Sequence, residues 1–329
     1  MKRKILKLLY YLKSGSAARE LRIRYKKNLI RRKYFHDDEK YLSELYNIYF
    51  GKYPNIQNPK TYNEKLLWLK LFWRDDLAYQ CADKIRVRDY VAQKGLERIL
   101  VPLVGTFSHI KQIDKFSLPE RFVIKTNNDS GGVFICKDKN DEKKYNKSIY
   151  KIQKRINKNR VNPFKEWVYD RIEPKILIEE IVKTKDGNAP KDYKFFCFHG
   201  EPAFLYVASE RERLVKFTFF DLDWNHLKII NGHDFSNHPI EKPSKFNEMV
   251  EICRILSRDF PHVRVDLYYE NDTIYFSELT FFHHGGNFRF IPESFDQYAG
   301  SLLDINKIIN SPKYHSLQNN IRNKKGIPS

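Results

Sequence analysis

The sequence predicts an α+β fold of more than one lobe, with helices first and antiparallel strands afterwards. Three observations predict it. Residues 36 to about 115 read mostly as helix. From Leu118 the grammar changes to short β-branched and aromatic runs bounded by Gly, Asn and Pro. Two pairs of those runs are separated by only a few residues and read as hairpins. A chain of 329 residues with 41% hydrophobic and 15% aromatic side chains is long enough to bury a full core.

The elements follow in chain order. Ile5, Leu8, Leu9 and Leu12 fall at i, i+3, i+4, i+7, one stripe of an amphipathic helix whose other sides carry lysines. Lys7 interrupts this apolar stretch and basic residues resume from Arg19, which argues against an export signal. Asn63 to Phe72 reads as a helix, and Asp83 to Lys94 as another, with Asp83 as N-cap and Gly95 as the stop. Phe122 to Lys125 is a short buried strand running into the loop Asn127 to Gly132, and Val133 to Cys136 is the strand after it. The basic stretch 137 to 160 lacks Gly and Pro and reads as helix. Ile176 to Ile181 is a strand. Tyr193 to Phe198 and Ala203 to Ala208 form a hairpin, Asn247 to Arg258 a helix, and Val263 to Tyr269 with Ile274 to Phe281 a second hairpin.

Charge is concentrated rather than spread. Of 60 Lys+Arg and 41 Asp+Glu, residues 1 to 35 hold thirteen bases and one acid, and residues 137 to 160 hold ten bases and three acids. Those two stretches account for the whole net charge of +19, so the rest of the chain is balanced. A basic nucleic-acid coat does not fit that distribution, and no sequence-specific nucleic-acid signature is present. The first stretch fits an anionic membrane surface, a solvated tail, or a helix docked on its own domain. Cys81, Cys136, Cys197 and Cys253 form no C-x-x-C pair, which suits a reducing cytosol and neither zinc nor disulfides. No run approaches the roughly 18–20 apolar residues that cross a bilayer.

The second hairpin is the most informative place. With a four-residue turn at 270 to 273, positions whose numbers sum to about 544 lie opposite, so Asp266 faces Glu278 and Arg264 faces Thr280. Period-2 alternation puts Val263, Val265, Leu267, Tyr275, Leu279 and Phe281 on one apolar face and Arg264, Asp266, Glu278 and Thr280 on the other. Directly opposed carboxylates repel. Either a divalent cation with oxygen ligands offsets that repulsion, or Arg264 and nearby lysines quench it. Lys125 ends a buried strand just before a Gly-containing loop, a setting that aims N–H groups and an ammonium at phosphates. Lys84 and Lys194 are the other candidate cations.

The order of these motifs resembles the ATP-grasp superfamily, and within it the TupA-like branch associated with teichuronopeptide and other bacterial surface polysaccharides. Asn63-Glu64-Lys65, Asp83-Lys84, Phe122-Val123-Ile124-Lys125, Asp192-Tyr193-Lys194-Phe195-Phe196, Arg264-Val265-Asp266 and Glu278-Leu279-Thr280-Phe281 carry the likeness, from about residue 50 to 305. It implies an ATP-grasp fold, two α+β lobes clasping ATP, with a basic helical arm added in front. The divisions it suggests are a basic arm 1–35, a mainly helical domain 36–117, a lid and central subdomain 118–190, a catalytic subdomain 191–310 and a tail 311–329.

The same resemblance implies roles. Lys84, Lys125 and Lys194 would contact ATP phosphates, with Ser130, Gly131 and Gly132 in a closing lid loop. Glu179, Glu180, Ile181 and Val182 would hold adenine and ribose. Asp266 and Glu278 would ligate Mg²⁺, with Thr280 standing where many relatives have Asn, a poorer ligand. Arg264 and Lys194 would be catalytic. The implied activity is an ATP- and Mg²⁺-dependent ligase of bacterial surface-polysaccharide synthesis that joins an amino acid or amine to a uronic acid or glycan carboxylate through an acyl phosphate, cytoplasmic or peripheral on the inner membrane face, with an acceptor that can be lipid-linked. His283 and His284 are candidate bases for the incoming amine. A sugar kinase or glycosyltransferase, and a polyanion-binding protein without activity, stay open as alternatives.

Overall fold

The computed structural model describes residues 16–128, 132–156, 162–184, 189–210 and 214–314, with side chains from residue 23 onward. The apolar stripe Ile5 to Leu12 therefore lies outside the described residues, as do Ser130, Gly131 and the tail beyond residue 314. Among the described residues five helices come first: α1 Ser16–Tyr34, α2 Asp38–Phe50, α3 Tyr62–Phe72, α4 Asp76–Ala82 and α5 Val87–Gln93. Then follow β1 Leu103–Phe107, β2 Phe122–Thr126, β3 Val133–Cys136, α6 Glu142–Ile156 and β4 Ile176–Glu180. The last part holds β5 Asp192–Phe198, β6 Glu201–Ser209, β7 Lys216–Asp221, α7 Phe246–Ser257, β8 His262–Glu270, β9 Thr273–Thr280, α8 Ser294–Ser301 and α9 Ile305–Ile309.

The strands form two antiparallel sheets, one in the order β1-β4-β2-β3 and one in the order β7-β6-β5-β8-β9. Each sheet buries one face under a helix. Tyr145 and Ile152 of α6, seven residues apart on one helical face, close over Phe122, Ile124, Ile176 and Ile178 of the first sheet. The lysines of α6 point the other way, so the charge that this helix carries lies on a solvent face. Met249, Ile252, Cys253 and Leu256 of α7 belong to one buried cluster with Phe195, Leu205, Val263, Val265 and Leu267 of the second sheet.

Helix α3 locks the helical segment to the second sheet. Thr61 caps it and Glu64 reaches back, a capping box in which Glu64 Oε2 accepts from Thr61 N at 3.1 Å and Lys60 N at 3.0 Å. Asn63 Nδ2 donates to Phe288 O and Asp296 Oδ1, and Lys65 Nζ donates to Leu303 O. The motif Asn63-Glu64-Lys65 is thus a clamp on the carboxyl-terminal helices. His262, buried in β8, accepts a hydrogen bond from Tyr62 and donates one to Cys197 O, both at 2.9 Å.

Three expectations from sequence change here. The helical stretch stops at Ile99, because Leu103–Phe107 is a strand pairing with β4. The helix expected over Asp83 to Lys94 is broken: Asp83 Oδ1 accepts from Ile85 N at 2.8 Å, a local turn that competes with helix, and α5 begins only at Val87. The β8–β9 turn is the two-residue Asn271-Asp272, both left-handed at φ 49° and 60°. Register there runs Tyr268↔Tyr275 and Glu270↔Thr273, while a bulge past Asp266 restores Asp266↔Glu278 and Arg264↔Thr280. That extra residue moves Tyr275 off the apolar face and puts Phe276, 5% exposed, in its place.

Candidate active site between the two sheets

The bulge fixes the polar corner of the second sheet. Asp266 is fully buried, and Arg264 grips it with Nε on Oδ1 and Nη2 on Oδ2, both at 2.7 Å. Lys194, its partner across β5, bonds Oδ2 as well and pairs with Asp192 at 2.7 Å. Burial works to raise the Asp266 carboxyl, and the Arg264 and Lys194 charges oppose it. Glu278 sits directly opposite with its side chain 32% exposed. Its Oε2 lies 3.7 Å from Lys84 Nζ and its Oε1 3.6 Å from Arg264 Nη2. Burial opposes ionisation, yet Lys84, Lys194 and Arg264 together hold this carboxyl at about 2. The repulsion expected between the opposed carboxylates is therefore offset by side chains of the protein itself.

The first sheet supplies the other wall. Lys125 Nζ meets Glu179 Oε2 at 2.5 Å, and Arg88 of α5 takes Glu179 Oε1 at 3.1 Å. Burial works to lower the Lys125 ammonium, but Glu179 and Tyr268 outweigh it and Glu278 adds to the rise. Lys84 reaches the site from the turn between α4 and α5, and its N–H donates to Asn127 O at 3.2 Å, tying that turn to the loop after β2. Asn127 in turn holds Lys175 through a side-chain bond of 2.7 Å. Gly132 is buried and its carbonyl accepts from Thr126 N.

The structure brings Lys84, Lys194, Arg264, Asp266, Glu278 and Thr280 into contact, with Lys125 and Glu179 beside them. Glu180 is exposed at the end of β4 with its N–H on Pro102 O, followed by the half-buried Ile181 and Val182. Thr280 Oγ1 accepts from Arg264 Nη2 at 3.0 Å and donates to Glu278 at 3.3 Å. His283 is buried: Nδ1 accepts from Arg264 Nη1 at 2.7 Å and Nε2 faces Asn231 Oδ1 at 3.0 Å. Arginine only donates, so Nε2 carries the proton and the lone pair of Nδ1 is spent. Burial, then His284 and Arg264, hold this imidazole neutral. It orients the guanidinium and has no free nitrogen to act as a base.

Sequence reasoning missed four groups. Arg88 and Asn231 are lone residues without a motif. Val133 and Ile135, each 42% exposed, share the cleft face of the first sheet with Val123 and Lys125. Exposed β-branched side chains beside a buried cation make an apolar wall with a charged end, which suits the flat base and the phosphates of a nucleotide. Alternation along β3 carried that signal.

The donor set also fits a magnesium ion of the kind bound by few protein groups. One ionised, partly exposed carboxylate, Glu278, faces the cleft, and Mg²⁺ takes the rest of its shell from phosphate oxygens and water. Asp266 is enclosed, with both oxygens already hydrogen-bonded. Among the described residues no cluster of three or more His, Cys, Asp or Glu forms a cage, so a metal here would depend on the nucleotide.

Two antiparallel sheets facing each other across a lysine-lined cleft, with opposed Asp and Glu on one of them, define an ATP-grasp enzyme. The sequence matches the family described as TupA-like ATPgrasp over residues 64–304, and the chain belongs to that family. Solved structures similar to it include D-alanine–D-alanine ligase from Helicobacter pylori, at 15% identity and TM-score 0.44, covering 75% of this chain and 70% of that one. L-amino acid ligase from Bacillus licheniformis is similar at 11% identity and TM-score 0.41, covering 79% of this chain and 55% of that one. D-alanine–D-alanine ligase from Bacillus anthracis complexed with ATP is similar at 16% identity and TM-score 0.37, covering 61% of this chain and 55% of that one. No curated protein matches the sequence.

Proposed function

We propose that the protein is an ATP- and Mg²⁺-dependent ligase that joins a carboxylate to an amine in the synthesis of a cell-surface glycan. The observation that carries this reading is the convergence of Lys84, Lys194 and Arg264 on Glu278, with Lys125 held alongside by Glu179. Cations gathered around one ionised, partly exposed carboxylate suit a triphosphate.

A carboxylate is a poor electrophile, so the acceptor oxygen first attacks the γ-phosphorus. The bond from that phosphorus to the β–γ bridging oxygen breaks, and ADP leaves. An amine then attacks the acyl carbon and loses a proton, and phosphate departs with the oxygen that began on the carboxylate. Lys84, Lys125 and Lys194 would bind and orient the triphosphate, which is most of the catalysis such transfers need. Mg²⁺ held by Glu278, with Asp266 behind it, would supply further charge neutralisation. Arg264 commits four of its five N–H donors, to Asp266, Thr280 and His283. The remaining Nη1 hydrogen is the one available to a developing oxyanion. Replacing Lys125 and measuring nucleotide binding tests the phosphate assignment, and nucleotide turnover with paired acid and amine tests the reaction.

The location follows from charge. Among the described residues no helix is long and apolar enough to cross a membrane. Helix α1 packs inward through Ile30 and Tyr34, and Lys27 bonds Tyr49 of α2. Its outer side exposes Arg24, Lys26, Arg31, Arg32 and Lys33 around Tyr25 (66% exposed) and Leu29 (46%). A basic face with two apolar anchors suits the anionic inner leaflet, where a lipid-linked glycan acceptor resides.

A further inference from the structure

A cavity of about 230 Å³ lies at the end of the second sheet, where the β5–β6 turn, the start of β8 and α9 meet. None of its lining residues belongs to the polar corner or to the first sheet. Its volume is below the roughly 300–1,000 Å³ of sites for drug-sized ligands, so it suits a small molecule. Pro261 and Tyr314, both half-buried, give it an apolar side, and His199, Arg258 and Lys307 give it a basic one.

The charges around this cavity do not cancel. Two carboxylates line it, and each is already engaged. Asp75 caps α4 at Leu77 N and pairs with Lys313 at 2.6 Å, while Asp259 accepts from Tyr90 at 3.0 Å and pairs with Lys94 at 2.6 Å. Asp304 turns its carboxylate to Asn306 N, as the cap of α9, and does not line the cavity. Arg258 and Lys307 are left over, both exposed and neither in an ion pair among the described residues. His199 adds a neutral donor: its Nε2 accepts from Asp304 N at 2.9 Å, so Nδ1 carries the proton and meets no protein acceptor among the described residues. Burial and then the Lys307 charge favour that neutral form.

Backbone geometry gathers the three groups on one rim. His199 and Gly200 form the β5–β6 turn, left-handed at φ 51° and 87°, and His199 N donates to Pro261 O at 2.9 Å. A Cβ on Gly200 would come within 3.2 Å of Arg258 Cα, so glycine lets the turn rest on the end of α7. The bond from Asp304 N ties the start of α9, and with it Lys307, to the same turn.

We propose that Arg258, Lys307 and His199 bind the phosphate of a small phosphate monoester whose organic part lies against Pro261 and Tyr314. Charge selects the group: a monoester carries about 1.5 to 2 negative charges at neutral pH and three acceptor oxygens, matching two unpaired cations and one N–H donor. A carboxylate would leave one cation unmet. The apolar side selects an ester over inorganic phosphate. This site is separate from the nucleotide cleft and does not depend on the ligase reading.

The test is calorimetric titration of the full chain with phenyl phosphate, with inorganic phosphate and benzoate as controls. The variants are Arg258→Gln, Lys307→Met and Tyr314→Ala, with Lys125→Met marking the nucleotide cleft. Phenyl phosphate should bind about tenfold or more tightly than either control, and Arg258→Gln and Lys307→Met should each weaken it by about tenfold or more. Tyr314→Ala should reduce the preference over inorganic phosphate, and Lys125→Met should leave the affinity within about twofold. Because Arg258 and Lys307 are exposed, neither change should alter the melting temperature, and a loss of binding then reports on the site. No binding of phenyl phosphate at about 1 mM, affinity no greater than that for benzoate or inorganic phosphate, or unchanged affinity in both cation variants overturns the proposal. So does a loss confined to Lys125→Met, which would put the phosphate in the nucleotide cleft. No arm requires ATP, so failure here leaves the ligase reading standing.

Discussion

Asp266 and Glu278 are direct partners across β8 and β9, yet one is sealed and the other open. Asp266 is wholly buried under Arg264 and Lys194, whereas Glu278 keeps a third of its side chain in the cleft. The pair is divided accordingly: Asp266 holds Arg264 and Lys194 in place, and Glu278 is the carboxylate left open for the nucleotide and metal that we propose bind here.

Substitution should separate the two roles. Asp266→Ala leaves Arg264 and Lys194 buried without their shared partner, and denaturant unfolding should register a loss of about 3–5 kcal/mol. Glu278→Gln should cost less than about 1 kcal/mol of stability, as for other partly exposed pairs. It should nevertheless lower ATP turnover by about 100-fold or more. An equal stability loss for both would contradict the division.

Lys125 is held by Glu179 at 2.5 Å and pointed toward the cleft. Lys125→Met removes a charge-assisted contact worth about 1.5–3 kcal/mol to a phosphate. Calorimetric titration should show the ATP dissociation constant rising by about tenfold or more. A change below twofold would remove Lys125 from the phosphate site.

Asp296 should give stability a pH dependence of unusual sign. Burial raises its carboxyl to about 6, with the bonds from Asn63 opposing the shift. Because the folded value lies above the unfolded one of about 3.9, the contribution is present below pH 4 and lost as pH rises toward 6. The melting temperature of the wild type relative to Asp296→Asn should fall across that window. A difference that is flat or rises would refute the assignment.

The outer face of α1 can be tested without disturbing its inner face. Reversing Arg24, Lys26, Arg31 and Arg32 to Glu leaves Ile30 and Tyr34 in place. Binding to vesicles rich in phosphatidylglycerol should fall by at least tenfold, at roughly 1 kcal/mol per basic residue near the surface. Undiminished binding would rule out this face as the membrane contact.

Much of this site was legible in the residues. The opposition of Asp266 and Glu278 follows from period-2 alternation around a short turn, and it held because the bulge lies on the turn side of the pair. The bulge itself left no mark, since Ser277 reads as an ordinary polar position. Strand β1 was hidden by its length of five residues and by Gly105 in its middle. The partners of Glu179 and His283 were invisible for a different reason. Arg88 and Asn231 are distant in sequence; α5, packed on the core of the second sheet, extends Arg88 across to β4, and the 231 loop brings Asn231 to His283.

Activation of a carboxylate by ATP for attack by an amine is the reaction we propose for this cleft. The most direct measurement is product stoichiometry with Mg²⁺, ATP and a panel of uronic-acid acceptors and amino acids, following ADP, phosphate and amide together. ADP, phosphate and amide should form in equal amounts, and only when an acid and an amine are both present. ADP accompanied by a phosphorylated sugar, or no consumption of ATP with any pair, would contradict it.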